Sequence, residues 1–296
     1  MASLGNPHFL ASTAAPQLRD AAVLTRAVEG VFRKLIRMLI GRISLKKLQE
    51  LIQIIFVEET EASLKQRAPE KNVSLADLAL LTGVDTRTIK KTRAYVTLSN
   101  PPHRDDNFLD GFMPMFKVFD LWMNDERFFD VASGKPRELE IEGEEASFSQ
   151  LVKLAIQSRG LSARLVIRRL KEIDVISVNS QTQTVKLKRE DNIFISKDDL
   201  DSLEVGFAAI ENLADTVNHN IQHRLDDDKK FYQRGSWDFQ FSPHKMDLIR
   251  KTIGSFLGEA DTSARKLIGS LAEPEPQQGQ VTAGISMFYF EEVSGS

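Results

Sequence analysis

From Val28 to Ile40 the apolar side chains fall at Val28, Val31, Phe32, Leu35, Ile36, Leu39 and Ile40. That is the spacing of one helix face, with Arg33, Lys34 and Arg37 between its members and Gly41 ending the run. Ser44 is placed to cap a second helix, with Leu45, Leu48, Leu51, Ile52, Ile55 and Phe56 expected along one side. Pro69 and Asn72 interrupt the pattern. Ser74 to Tyr95 then reads as two short helices joined by a turn. Ser74 followed by Asp77 forms a capping box with Asp in the usual Glu/Gln place. Gly83 supplies the left-handed turn residue, Asp85 or Thr86 caps the next helix, and Ile89 is expected in the core.

This stretch resembles the helix-turn-helix signature of bacterial regulators. A small residue (Ala79) lies between the helices, the turn glycine (Gly83) follows four later, and a buried aliphatic (Ile89) comes six beyond it. Thr92 departs from the pattern, which has a hydrophobe there. The resemblance implies that the second helix, carrying Thr86, Arg87, Thr88, Lys90, Lys91 and Arg93, enters a major groove. Arg87 and Thr88 are then expected at base edges, and Lys90, Lys91 and Arg93 at phosphates.

A second periodic block covers 148–190. A helix is expected from Phe148 to Gly160, and another capped by Ser162, with Leu165, Val166, Leu170 and Ile173 inward and Arg164, Arg168, Arg169 and Lys171 outward. Val175-Ile176 and Val185/Leu187 then alternate as a hairpin around Asn179-Ser180-Gln181. Helix, helix, hairpin is the order of a winged helix, with Lys186, Lys188 and Arg189 on or beside the wing, and Arg164, Arg168, Arg169, Lys186 and Lys188 are expected at DNA.

Between the blocks, 98–147 reads as a connector. Within it FMPMFKVFDLWMNDERFF places Trp122 as a core anchor, with Asp125, Glu126 and Asp130 on a solvated face. After the second block, Asp198-Asp199 opens a long helix to about Leu225, with Leu203, Phe207, Ile210, Leu213, Val217 and Ile221 along one side. Another runs from about Pro243 to Leu271. Paired long amphipathic helices predict a dimer interface. The ending VTAGISMFYFEE is β-prone and is expected to pair as a terminal strand, with a wing or with a partner chain.

Charge sharpens this division. Residues 26–95 hold 14 Lys/Arg against 8 Asp/Glu, and residues 148–190 hold 9 against 3. Residues 96–147 hold 5 against 12, and 191–296 hold 10 against 18. Each basic block coincides with a helix-turn-helix pattern, which is the electrostatic footprint a polyanionic duplex seeks.

The chain has no cysteine, which removes disulfides, thiol nucleophiles and thiolate zinc sites and fits a cytoplasmic protein. No run approaches the ~18 apolar residues of a membrane span, and residues 1–25 lack a signal-peptide pattern. They are expected to form a flexible tail. His219 and His223, four apart with Glu211 and Asp215 upstream, are a candidate metal pair. The glutamate of the zinc-protease motif is missing, and no phosphate-binding glycine loop or nucleophile elbow occurs.

The order of FRKLIRMLIGRISLKKLQELIQIIFVEE, LADLALLTGVDTRTIKK, LWMNDERFFDVASGKPRELEIEG and GISMFYFEE resembles an uncharacterised bacterial family, domain of unknown function 6502. The expected fold is therefore mainly α. It comprises a tail (1–25), a helix-turn-helix domain (26–97), an acidic connector (98–147), a winged helix (148–190) and a long-helix, dimerising region with a terminal β-strand (191–296). The expected function is that of a transcriptional regulator, a non-enzymatic, cofactor-free homodimer that binds double-stranded DNA through both units and binds no membrane. Rival readings are a protein-protein adaptor and a metal enzyme centred on the histidines.

Overall fold

A computed structural model of the chain describes residues 16–98, 101–110, 112–156, 161–188, 197–238, 241–272 and 282–291. It is mainly α-helical and divides into two units, Met1–Lys197 and Asp198–Ser296. Among the described residues no helix is long and apolar enough to cross a membrane.

In the first unit, helix α1 (Pro16–Leu39) takes up residues 16–25 of the expected tail. Gly41 follows it with φ of 80°, a conformation that side-chain-bearing residues rarely hold. The apolar stripe of α1 forms as the spacing predicts, yet Val28, Val31, Phe32 and Ile36 stay exposed. Helix α2 (Leu45–Arg67) starts where Ser44 Oγ accepts the Lys47 amide, and α3 (Leu75–Thr82) where Ser74 Oγ accepts that of Asp77. Gly83, at φ 69°, closes α3 by donating its amide to Ala79. Helix α4 (Thr86–Leu98) follows.

Val57, Leu78 and Ile89 form the small core of α2, α3 and α4, with Leu64, Val73, Ala79 and Val84 around it. That core corrects the expected face of α2. The buried positions are Ile54 and Val57, because α3 and α4 lie on that side, whereas Leu45, Ile52, Ile55 and Phe56 are exposed.

A larger core belongs to α6 (Pro114–Asn124), α7 (Phe148–Ala155), α8 (Ala163–Glu172) and three strands, β3 (Leu139–Glu140), β4 (Ile176–Asn179) and β5 (Thr184–Leu187). The strands form an antiparallel sheet in the order β3-β5-β4, with Leu139 opposite Val185 and Ile176 opposite Leu187. Short α5 (Asp106–Asp110) precedes α6, and a small ribbon, β1 (Phe129–Asp130) with β2 (Lys135–Pro136), follows it.

The segment expected as a connector thus supplies five of the fourteen buried residues of this core. Val118, Phe119, Trp122, Phe128 and Leu139 are buried with Phe148, Leu151, Val166, Leu170, Val175, Ile176 and Val185. Trp122 meets Phe148 edge-on at 5.4 Å and donates Nε1–H to the Arg137 carbonyl at 2.9 Å. Most of the acidic residues that set this stretch apart, Asp106, Asp120, Glu126 and the glutamates from Glu138 to Glu145 among them, are exposed, so charge drew a boundary that packing does not respect. Leu165 also departs from expectation: Ala163, Val166 and Leu170 are the inward side of α8 and Leu165 is exposed. Helix α7 ends at Ala155, and Gly160 lies outside the described residues.

The second unit contains α9 (Lys197–Gln222) and α10 (Met246–Leu271), close to their predicted bounds. The terminal segment 282–291 is neither helix nor strand and has no strand partner among the described residues. It is tied instead to the start of α10, where Arg250 forks onto both Glu291 carboxylate oxygens at 2.6 and 2.8 Å. The expected terminal β-strand thus has no ladder among the described residues, where the segment is a tethered strap.

Candidate nucleic-acid interface

Helix α4 is set by residues at its start and on its inner face. Asp85 caps it, accepting the Thr88 amide at 2.9 Å, and the hydrogen bonds from Thr88 hold the Asp85 carboxyl below its ordinary range. Ile89 is fully buried. Thr92 is buried too, and its hydroxyl accepts from Gln53 Nε2 at 3.0 Å, so the departure from the usual hydrophobe is a satisfied polar contact with α2.

With Ile89 and Thr92 inward, Arg87, Lys90 and Lys91 share the outer face at i, i+3 and i+4 spacing. All three are exposed and make no ion pair among the described residues. Thr86 is exposed beside them and Thr88 is half-buried. The N-terminal half of α4 therefore offers three open cations and one free-standing hydroxyl.

Arg93 has a role within the fold. It was expected at phosphates, but its Nε donates to Glu61 Oε2 at 2.9 Å, and its guanidinium also reaches the Val73 carbonyl at 3.1 Å. Arg93 thus holds α4 against α2 and the loop before α3. Its hydrogen bond to Glu61 lowers the carboxyl's pKa, with Lys65 adding to the effect against partial burial. Glu61 was missed from sequence because it lies 32 residues away on a helix with several equivalent carboxylates.

In the other core, the structure spreads the expected residues. Arg168 and Lys186 are exposed and make no ion pair among the described residues. Arg164 is exposed but lines a groove with Glu140, Glu142, Ile167, Thr182 and Gln183, so carboxylates border it. Arg169 pairs with Glu172 at 3.1 Å and reaches the turn at Gly41. Lys188 pairs with Asp174. Arg169 and Lys188 were expected as open duplex contacts and are partly neutralised, because carboxylates three residues along α8 and at the β4 entry reach them. Arg189 lies outside the described residues.

The turn between β4 and β5 is built by Asn179, whose Oδ1 accepts the Gln181 and Thr182 amides. Its tip is polar and uncharged. Two of the three carboxylates expected on a solvated face have local structural work: Arg127 forks onto Asp125 and pulls it down to about 2, and Asp130 accepts the Ala132 amide, while Glu126 is exposed.

The histidine pair is occupied by contacts within its own unit. His219 stacks on Phe231 at 3.7 Å and on His223 at 4.2 Å, and its Nε2 lies 2.7 Å from the Lys229 carbonyl. Asn220 brackets Phe231, accepting its amide and donating to its carbonyl. Among the described residues no group of three His, Asp or Glu is arranged to hold a metal ion.

A family model described as a family of unknown function (DUF6502) matches residues 21–241. No curated protein and no solved structure matches the chain.

Proposed function

Because the chain belongs to the DUF6502 family, whose function is unknown, its chemistry has to be read from its own surface, and we propose that it is a non-enzymatic regulator that binds duplex DNA in the cytoplasm. The observation that carries the reading is the open trio Arg87, Lys90 and Lys91 on the N-terminal half of α4. We read α3, its glycine turn and α4 as a helix-turn-helix, whose second helix enters the major groove N-terminal end first. Arg87 and Thr86 are then nearest the bases, while Lys90 and Lys91 meet phosphates.

We read the second core as a winged helix. Its order of helix, strand, two helices and hairpin, with the first strand beside the last, supports this. The unit begins at α6 rather than at Phe148, α8 stands where the recognition helix belongs, and Arg168 and Lys186 are its open cations.

Titration of labelled random duplex at about 50 and 200 mM salt tests the proposal, since each neutralised phosphate contributes about −0.9 to the slope of log K against log salt. Wild type should bind at low salt with a steep slope. Lys90→Ala with Lys91→Ala should reduce the slope by roughly 2. Absence of low-salt binding, or a slope the double variant leaves unchanged, rejects the reading.

A second reading applies to the winged-helix unit alone. The Arg169 and Lys188 ion pairs, and Glu140 and Glu142 beside Arg164, favour a protein-binding role there. In that case Arg164→Ala with Arg168→Ala leaves the salt slope at its wild-type value.

A further inference from the structure

The second unit holds two helices of 26 residues each and, among its described residues, not one buried side chain. The described residues of such a unit bury little to offset the conformational entropy of ordering it, and helices in proteins draw most of their stability from packing an amphipathic face. Yet both helices are patterned for burial. On α9, Leu203, Phe207, Ile210, Leu213 and Val217 share a face, with Leu213 still 43% exposed. On α10, Ile249, Ile253, Phe256, Leu257, Ala260 and Leu267 do the same, with Phe256 66% exposed.

From these faces we infer that the unit is a self-association module, in which two copies of the chain join α9 and α10 into a four-helix bundle. One neighbouring helix covers only a line along its partner, whereas a stripe of about 100° or more needs neighbours on two sides. Two helices of equal length from each of two copies supply them. A 26-residue helix is about 39 Å long, and a strip about 10 Å wide along each gives roughly 800 Å² per copy, which is what a stable dimer buries. A second copy is also the partner that closed two-fold symmetry provides without a further component. The strap at 282–291, held by Arg250 and Glu291, adds Phe288 and Phe290 to the exposed apolar surface of the same unit. The exposed stripe of α1 is a single helix and offers no such closure. None of this rests on the DNA-binding reading.

The test uses the full chain. Light scattering coupled to size exclusion should give twice the 33.4 kDa chain mass at micromolar concentration. Leu213→Asp with Phe256→Asp should weaken association at least 100-fold while the duplex salt slope per chain persists. Because the chain has no cysteine, a single nitroxide on Ser263→Cys, an exposed position on α10, gives a second readout. Dipolar modulation from one label per chain requires two copies side by side. A chain that stays monomeric without modulation overturns the inference, as does a dimer that survives both aspartates. If the aspartate variant loses its helices altogether, the label decides alone, modulation supporting the bundle and its absence rejecting it.

Discussion

Glu61 and Arg93 tie the most informative helix of the chain to the rest of it, and their energetics can be tested separately from any role in binding. Both are partly buried, so Arg93→Ala should lower stability by about 1–2 kcal/mol, measured by urea unfolding. The duplex salt slope should barely move, in contrast to Lys90→Ala. The pH dependence has a definite sign. The Arg93 hydrogen bond lowers the Glu61 pKa, so its contribution is present above the ordinary glutamate range near ~4.3 and is lost as pH falls through the lower folded value. Glu61→Gln should flatten that acid limb. Tyr95 works the other way: burial, then the Asp105 carboxylate 2.5 Å away, pushes its phenol up to about 12. Its contribution holds below about 10 and fades as pH rises toward 12, and Tyr95→Phe should remove this alkaline limb. At this scale the sequence was legible where partners are local. Ser74, Gly83, Asp85 and Ile89 are recognised from spacing alone, whereas the role of Arg93 depends on a carboxylate brought in by folding.

Elements repeat the contrast. The α3 turn was readable because its requirement is conformational and confined to one residue. Gly83 sits at φ 69° with open space where a Cβ would go. Gly83→Ala should therefore cost about 1 kcal/mol through backbone conformation alone, without a clash. Helix α6 was hidden for the opposite reason. Trp122 belongs with Phe148 across 25 intervening residues and a charge boundary, and no local pattern reports that. Trp122→Ala should cost about 3–5 kcal/mol. Near-ultraviolet circular dichroism and the melting of the β4–β5 hairpin should then change together, since both share one core. The terminal segment marks the limit of propensity: its composition favours a strand, but a strand needs a ladder, and none is supplied by the described residues.

Across the molecule, protection should be unequal. Amides near Val57, Leu78 and Ile89 lie in a closed cluster and should exchange slowly at any protein concentration. Those of α9 and α10 should exchange faster on dilution below the association constant, because their shelter comes from another copy. Equal protection at all concentrations would contradict the bundle.

The sheet order β3-β5-β4 has a consequence for synthesis on the ribosome. The first cluster is complete once α4 has emerged, but β3 stays unpaired, and Trp122 without its full covering, until β5 arrives, about 45 residues after β3 and about 90 after α4. At roughly 5–20 residues per second that is an interval on the order of 5–20 s in which a nascent chain carries a finished cationic unit ahead of an unfinished, sticky one. A premature stop codon within the hairpin would release such a species, and quality-control proteases, rather than any loss of the α4 surface, would set its fate.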